Sequence, residues 1–411
     1  MWMNGDWGYT IQISSLILII MLKSIKAAFL VRDTSRMMRC HLCVLSNHNT
    51  HHHVNSLRQQ KYLKCQSIMQ TFPLQQQKMS SSSSDSMKKK SFFVNEKKDG
   101  WNVYNVLVES IAIFESHHVP EPEHSACHLL SSILYEWEDN GFRILMESLQ
   151  NRNNGMNSML LSEEQVGLYE DMVHRRISME PIQYILGKWD FLDFTLNIKS
   201  PCLCPRPETE ELVQLVIDHI STLQQQQQQQ QSVRVLDVGC GTGAIGIALA
   251  KYFGSTKIQV VAVDISNVAV EVTQQNAQQI LSSSTENDYF KVIKSSAKEY
   301  IPEEQKFDVI VSNPPYIPKD HMKTLSKDVL NHEDYYALCG GIDGMDVIRD
   351  IITNLPNWTS SGCSCWMEVD PSHPSLLQEY LCSQESVEYV DTYKDLSGFD
   401  RFVQLRVANK K

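Results

Sequence analysis

The stretch Val233-Arg-Val-Leu-Asp-Val-Gly-Cys-Gly-Thr-Gly243 decides the fold. Its apolar run, Val233–Val238, reads as a strand, and Ala244 to Tyr252 reads as a helix. Between them Gly239, Gly241 and Gly243 let the chain turn tightly and leave no side chain to hold a ligand away from the backbone. Alone, this spacing also fits a purely structural turn. The next strand-like run, Gln259–Val263, is followed by Asp264, 21 residues after Gly243. A carboxylate there can accept both hydroxyl protons of a ribose, or it can cap the strand end. The loop lacks the Gly-Lys-Ser/Thr of a P-loop, which argues against a triphosphate. An acid entering the turn at Asp237 suits a cationic ligand better than a pyrophosphate. S-adenosylmethionine, with an ammonium and a sulfonium, fits. The candidate cofactor contacts are Asp237, Gly239, Cys240, Gly241, Thr242, Gly243 and Asp264.

Outward from this turn, apolar runs alternate with helical stretches: Lys291–Lys294, Phe307–Ser312, Ser364–Val369, Val387–Tyr393 and Phe402–Val407. Such alternation predicts an α/β fold with a mostly parallel, doubly wound sheet. Upstream, a helix is expected from Glu208 to about Ser221, followed by eight glutamines, 224–231, as a surface-loop expansion. Alternating residues from about Tyr184 through Phe191, Phe194 and Leu196 predict a connecting β segment over 186–204. Cys202-x-Cys204 and Cys363-x-Cys365 read as alternating strand residues.

A second candidate site is Asn313-Pro-Pro-Tyr316, directly after the strand Phe307–Ser312. Ligands of open α/β sheets bind at the carboxyl ends of strands, where this tetrapeptide falls. Pro314 and Pro315 have no N–H and fix φ, so the backbone leaves the sheet and the Pro314 carbonyl stays free. The Asn313 side-chain oxygen is a second acceptor. Two acceptors can grip both protons of a planar –NH2 while Tyr316 covers its face. That is a clamp for an amide or exocyclic amine about to be alkylated. Alignment and desolvation supply the rate, with no strong general base.

The chain has 411 residues, 42% of them apolar, enough for a substantial core. Its net charge of -11 is unevenly spread. Residues 1–92 hold 12 Lys/Arg and 3 acids, leaving 25 bases and 45 acids for residues 93–411. So acidic a body repels a phosphate backbone, which argues against direct nucleic-acid binding. The 11 scattered cysteines fit a reducing compartment. Cys40-x-x-Cys43 near His51–His53 has no second ligand pair at finger spacing, so no metal is expected. The apolar run Leu16–Leu22 is too short for a span of about 20 residues, so no membrane association is expected. Residues 1–92, basic and then low in complexity, read as a mitochondrial presequence and linker; a plastid or cytoplasmic location fits less well. From Trp101, Val103, Val106, Leu107, Ile111 and Ile113–Phe114 recur at helical spacing. Pro120 and Pro122 break that segment, and Cys127 to Trp137 and Glu163 to Arg176 give further helices. Residues 93–185 thus predict a small helical domain before a domain spanning 205–411.

Asp237–Gly243, Asp264 and Asn313–Tyr316, preceded by Pro205-Arg-Pro-Glu-Thr-Glu210, resemble the HemK/PrmC protein-(glutamine-N5) methyltransferases over about residues 100–407. Further matching stretches are Glu180-Pro-Ile-Gln-Tyr-Ile-Leu-Gly187, Ala337-Leu-Cys-Gly-Gly341 with Asp343-Gly344, and Asp395-Leu-Ser-Gly398 with Asp400-Arg401. Glu368-Val-Asp-Pro-Ser-His-Pro374 is similar to the mitochondrial branch. The resemblance implies a seven-stranded class I S-adenosylmethionine-dependent methyltransferase domain, here expected to be a monomer. It implies methylation of the glutamine of the Gly-Gly-Gln motif in peptide-chain release factors, in support of translation termination. The substrate glutamine would meet Asn313, Pro314, Pro315 and Tyr316, with Asn313, Pro314 and Tyr316 catalytic and Asn313 also bordering the cofactor. Arg206, Glu208 and Thr209 would border the pocket, although Glu208 and Thr209 also suit a helix N-cap. Where the family often has an acid near the adenine, Ser296 would serve by its hydroxyl. The rival reading is an N-methyltransferase acting on an exocyclic amine of adenine or guanine in nucleic acid.

Overall fold

The computed structural model describes residues 92–93, 101–135, 140–151, 158–227, 232–281, 289–302 and 306–408. All of these fall within one compact unit, residues 85–411. The expected presequence, the Cys40-x-x-Cys43 pair and His51–His53 lie outside the described residues.

The short strand β1 (Trp101–Asn102) leads into α1 (Val103–Ser116), and the Asn102 side chain accepts the Asn105 N–H at 3.0 Å to cap it. Helix α2 (Pro122–Leu134) begins with the proline that ends the preceding segment, because a missing N–H is no loss in a first turn. Helix α3 (Gly141–Asn151) and strand β2 (Leu160–Leu161), which pairs antiparallel with β1, were not expected from the spacing of apolar residues. Helix α4 (Glu163–Ile177) starts at a reciprocal cap, in which Ser162 and Gln165 bond each other's backbone N–H. Val106, Leu107, Phe114, Leu129, Leu130, Leu145, Tyr169 and Val173 close a separate core among these helices.

Tyr184 lies in the short helix α5 (Ile182–Leu186), not in a strand, so the alternating pattern starts later than expected. Its phenol donates to the Cys202 carbonyl at 2.7 Å. The hairpin β3 (Lys188–Phe191) and β4 (Phe194–Asn197) follows. Cys202 and Cys204 are buried in irregular chain, not in a strand. Helix α6 (Pro207–Gln227) is longer than expected, because glutamine propagates a helix well. Gln224–Gln227 are therefore helical, which corrects the expected loop over 224–231; residues 228–231 lie outside the described set.

The chain then alternates: β5 (Val233–Val238), α7 (Ala244–Phe253), β6 (Ile258–Asp264), α8 (Asn267–Ile280), β7 (Phe290–Lys294), β8 (Phe307–Ser312). Next come the short helices α9 (Lys327–His332) and α10 (Tyr335–Leu338), then α11 (Asp346–Trp358), β9 (Thr359–Glu368), α12 (His373–Leu381), β10 (Val387–Lys394) and β11 (Asp400–Val407). Strand β9 starts five residues before the expected Ser364. Seven strands form one sheet in the order β10-β11-β9-β8-β5-β6-β7. The pairs β5–β6, β6–β7, β5–β8 and β8–β9 are parallel, whereas β11 runs antiparallel to β9 and β10. The central parallel strands β5, β6 and β8 are rich in Val, Ile and Leu because both of their faces are covered. Helices α6, α7, α8 and the hairpin bury one face, with Val235, Ala262 and Val309 in the core. Helices α11 and α12 bury the other, against Leu236, Val263 and Ile310. The chain leaves β5 toward β6 on one side and returns to β8 on the other. The crevice at that reversal, outside the carboxyl ends of β5 and β8, is where such sheets bind ligands.

Candidate active site

Two loops meet at this crevice. Val238 and Ser312 are register partners at the ends of β5 and β8, and the Ser312 hydroxyl donates to the Val238 carbonyl at 2.6 Å. Gly239 and Asn313 therefore leave the sheet side by side.

In the first loop Gly239, Gly241 and Gly243 have φ of 72°, 58° and 82°. A Cβ at Gly239 or Gly241 would stand in open space, whereas one at Gly243 would lie 2.8 Å from Ile247 and Thr273. The last glycine thus serves close packing of α7, and the first two leave a cradle empty. The loop is tied from outside. The Gly241 N–H donates to Asp264 Oδ2 at 2.9 Å, and the Thr273 hydroxyl donates to the Gly241 carbonyl at 3.0 Å. Asn276, fully buried, donates to the Thr242 and Asn197 carbonyls and accepts the Asn197 N–H, so one amide joins the loop, α8 and β4. The Cys240 thiol packs against the Thr273 hydroxyl at 3.5 Å.

Asp237 is completely buried. Its Oδ2 accepts the Gly246 N–H at 2.9 Å, while Oδ1 has no partner among the described residues. Burial pushes its carboxyl up to about 7, with the nearby Asp264 charge adding to the rise and the Gly246 N–H opposing it. Asp264 Oδ1 accepts the Ser266 N–H at 2.9 Å, so this residue does cap the strand end. Each of its oxygens keeps further lone-pair capacity for hydroxyl donors. Open space over Gly239 and Gly241, an orphaned acid beneath them and Asp264 on the adjoining strand fit S-adenosylmethionine, the cofactor whose cationic groups need such a negative floor.

In the second loop the Asn313 amide Nδ2 donates to the Thr209 hydroxyl at 3.0 Å. No described residue donates to Asn313 Oδ1. Thr209 in turn donates to Glu368 Oε2 at 2.8 Å, and the Tyr316 phenol donates to Glu368 Oε1 at 3.2 Å. Glu368, at the carboxyl end of β9, is 1% exposed. Burial pushes its carboxyl up to about 7 against the pull of Thr209, Tyr316 and Arg401. Burial, with the adjoining Glu368 charge, also raises the Tyr316 phenol. The loop backbone is fixed from below: the Ile317 N–H donates to Leu338 and the Gly340 N–H to Ile317. At Gly340 any side chain would collide with the Pro315 and Gly344 carbonyls, which explains the glycine.

Sequence reasoning places Arg206, Glu208 and Thr209 at the pocket border. Thr209 is more than a border residue, since it links Asn313 to Glu368. Arg206 donates from Nη2 to both carboxylate oxygens of the buried Glu333 at 2.7 Å, tying the start of α6 to the segment after α9. Glu208 makes no hydrogen bond in the described structure and acts on Glu368 through its charge. Ser296 is turned into a local cap, donating to Glu299 Oε2 at 3.1 Å and accepting the Glu299 N–H. The N–H of its neighbour Ser295 donates to the Asp264 carbonyl at 2.9 Å, so the segment lies against the end of β6. Glu368, Glu333 and Asn276 were not singled out as site residues from sequence. The available signal for Glu368 was an acid within the mostly apolar run Ser364–Val369.

Residues 105–187 match the family model described as the PrmC N-terminal domain, and residues 215–333 match the methyltransferase small domain. The chain is 31% identical to the human MTRF1L release factor glutamine methyltransferase over 297 residues, covering 72% of this chain and 84% of that protein. It is 34% identical to a release factor glutamine methyltransferase of Clostridium botulinum over 247 residues, covering 60% and 82%. Among solved structures, ribosomal protein L11 methylase from Lactobacillus delbrueckii subsp. bulgaricus aligns at 18% identity with a TM-score of 0.35, over 51% of this chain and 82% of that one.

Proposed function

The chain belongs to the release factor glutamine methyltransferases, S-adenosylmethionine-dependent enzymes, and from that membership we propose that Asn313, Pro314 and Tyr316 clamp the glutamine amide of a Gly-Gly-Gln release-factor motif for N5 methylation. The observation that carries this reading is the bond from Asn313 Nδ2 to Thr209, which commits the donor end of the amide inward and leaves Oδ1 as an acceptor. Asn313 Oδ1 and the Pro314 carbonyl receive the two protons of the substrate –NH2, and Tyr316 packs on its plane with Pro315 alongside. Held this way, the amide cannot rotate, and its nitrogen faces the crevice beside Gly239. The bound cofactor supplies a methyl group on an electrophilic sulfonium. Asp264 would hold the ribose hydroxyls, the backbone of Gly239–Gly243 with Cys240 and Thr242 would line the cofactor's amino-acid end, and Asp237 would give that end a negative floor. Ser296, its hydroxyl committed to Glu299, would stand near the adenine end, and Arg206, Glu208 and Thr209 would border the pocket.

The helical domain at residues 93–185 is read as the element that grips the release factor, since one tetrapeptide is too small to recognise a protein. The acid-poor leader supports import into mitochondria. The acidic body favours a protein substrate over nucleic acid. The test is incubation with methyl-labelled cofactor and, separately, a release factor, RNA and DNA. One methyl group on the glutamine of the Gly-Gly-Gln peptide, read by mass spectrometry, is the expected result. Label on RNA or DNA with none on that peptide overturns the proposal.

A further inference from the structure

The polarity of the amide clamp is set from behind. A carboxylate can only accept hydrogen bonds. Facing Glu368 Oε2, the Thr209 hydroxyl must spend its single proton there, at 2.8 Å. Its oxygen is then available to Asn313 only as an acceptor, so the –NH2 end of Asn313 turns toward it, at 3.0 Å. The other end, Oδ1, is thereby directed away from Thr209. The second oxygen of the same carboxylate takes the Tyr316 phenol at 3.2 Å. One buried acid thus holds both members of the tetrapeptide that carry side chains able to grip or cover an amide.

We propose that Glu368, in its ionised form, is the positioning residue of the methyl-transfer site, fixing through Thr209 which end of the Asn313 amide meets the substrate and holding the Tyr316 ring. The proposal rests on the glutamine-clamp reading above. If the carboxyl carried a proton, Thr209 could accept from it and donate to Asn313. The Asn313 amide would then flip, and its –NH2 would confront the substrate –NH2, donor against donor. The groups facing Glu368 are Thr209 and Glu208 on α6, Tyr316 on the loop after β8, and Arg401 on β11, which is itself paired with Asp395 at 3.2 Å. Since the carboxyl titrates near 7, turnover should rise with pH across neutrality.

The test uses the full chain with its release-factor substrate. Glu368→Gln supplies one acceptor where two donors need satisfying. It is expected to lower kcat at least 30-fold while leaving the dissociation constant for S-adenosylmethionine within about twofold, and to abolish the acid limb of the kcat–pH profile. Thr209→Val, which removes the relay hydroxyl, should lose turnover to a similar degree. Thr209→Ser, which restores the hydroxyl, should recover most of that loss. Glu368→Gln with wild-type kcat, or a Thr209→Ser no better than Thr209→Val, overturns the proposal. Loss of cofactor affinity in parallel with kcat in both Glu368→Gln and Thr209→Val overturns it too, since that marks a merely structural role. A wild-type enzyme inactive on the Gly-Gly-Gln motif would instead remove the underlying clamp reading.

Discussion

Asp237 and Glu368 are buried acids whose folded pKa values, about 7, lie well above the ~4 of an unfolded carboxyl. Below that lower value both states are protonated. As pH rises from about 4 to 7 the unfolded chain gives up its protons first, so stability falls across this window and levels off above it. The cofactor-free enzyme should therefore melt at a lower temperature at pH 8 than at pH 6, and Asp237→Asn should flatten the slope. A pH-independent Tm in the wild type contradicts this. On the proposed mechanism, the site trades stability for ionised acids where turnover needs them. The glycines divide by the same local logic. Gly243→Ala combines a φ of 82° with contacts at 2.8 Å, and a loss of about 2–4 kcal/mol is expected from denaturant unfolding. At Gly241, where no neighbour stands within 4 Å, Ala should cost less stability and instead weaken cofactor binding measured by calorimetry.

At the scale of elements, the buried Asn276 joins β4, α8 and the glycine loop through three hydrogen bonds. Asn276→Ala leaves the Thr242 and Asn197 groups unpaired and should cost about 2–3 kcal/mol in chemical denaturation. The strand–turn–helix around Gly239–Gly243 was legible in sequence because a mostly apolar run, three glycines and an apolar helix all specify the same local geometry. Asn313–Tyr316 was legible for a similar reason: two prolines can hardly continue a strand. What stayed hidden depends on distant pairing. Thr209 and Glu368 are 159 residues apart, and Arg206 and Glu333 are 127 apart, so no local pattern announces either pair. Helix α6 was read short because its last turn is glutamine, a residue equally at home in low-complexity chain. Cys202 and Cys204 misled by their spacing, since buried irregular chain can alternate as a strand does.

Over the whole molecule, two sets of elements are assembled for two tasks. The sheet brings the glycine loop and Asn313–Tyr316, the proposed cofactor loop and amide clamp, together at the ends of β5 and β8, which are adjacent in space although separated by some 74 residues in sequence. The helices of residues 103–186 close their own core and carry no part of the hydrogen-bonded chain from Asn313 to Tyr316. Deleting residues 93–185 should raise KM for the release factor while cofactor affinity is spared; an unchanged KM removes the gripping role from that domain. The acidic body and the proposed clamp, with the Asn313 –NH2 committed to Thr209, are both suited to a neutral protein amide as substrate. The most direct measurement is Asn313→Ala assayed twice, by calorimetry with S-adenosylmethionine and by methyl transfer to the Gly-Gly-Gln glutamine. Near-native cofactor binding with methyl transfer abolished is the predicted result. Methylation that persists in Asn313→Ala would contradict the clamp.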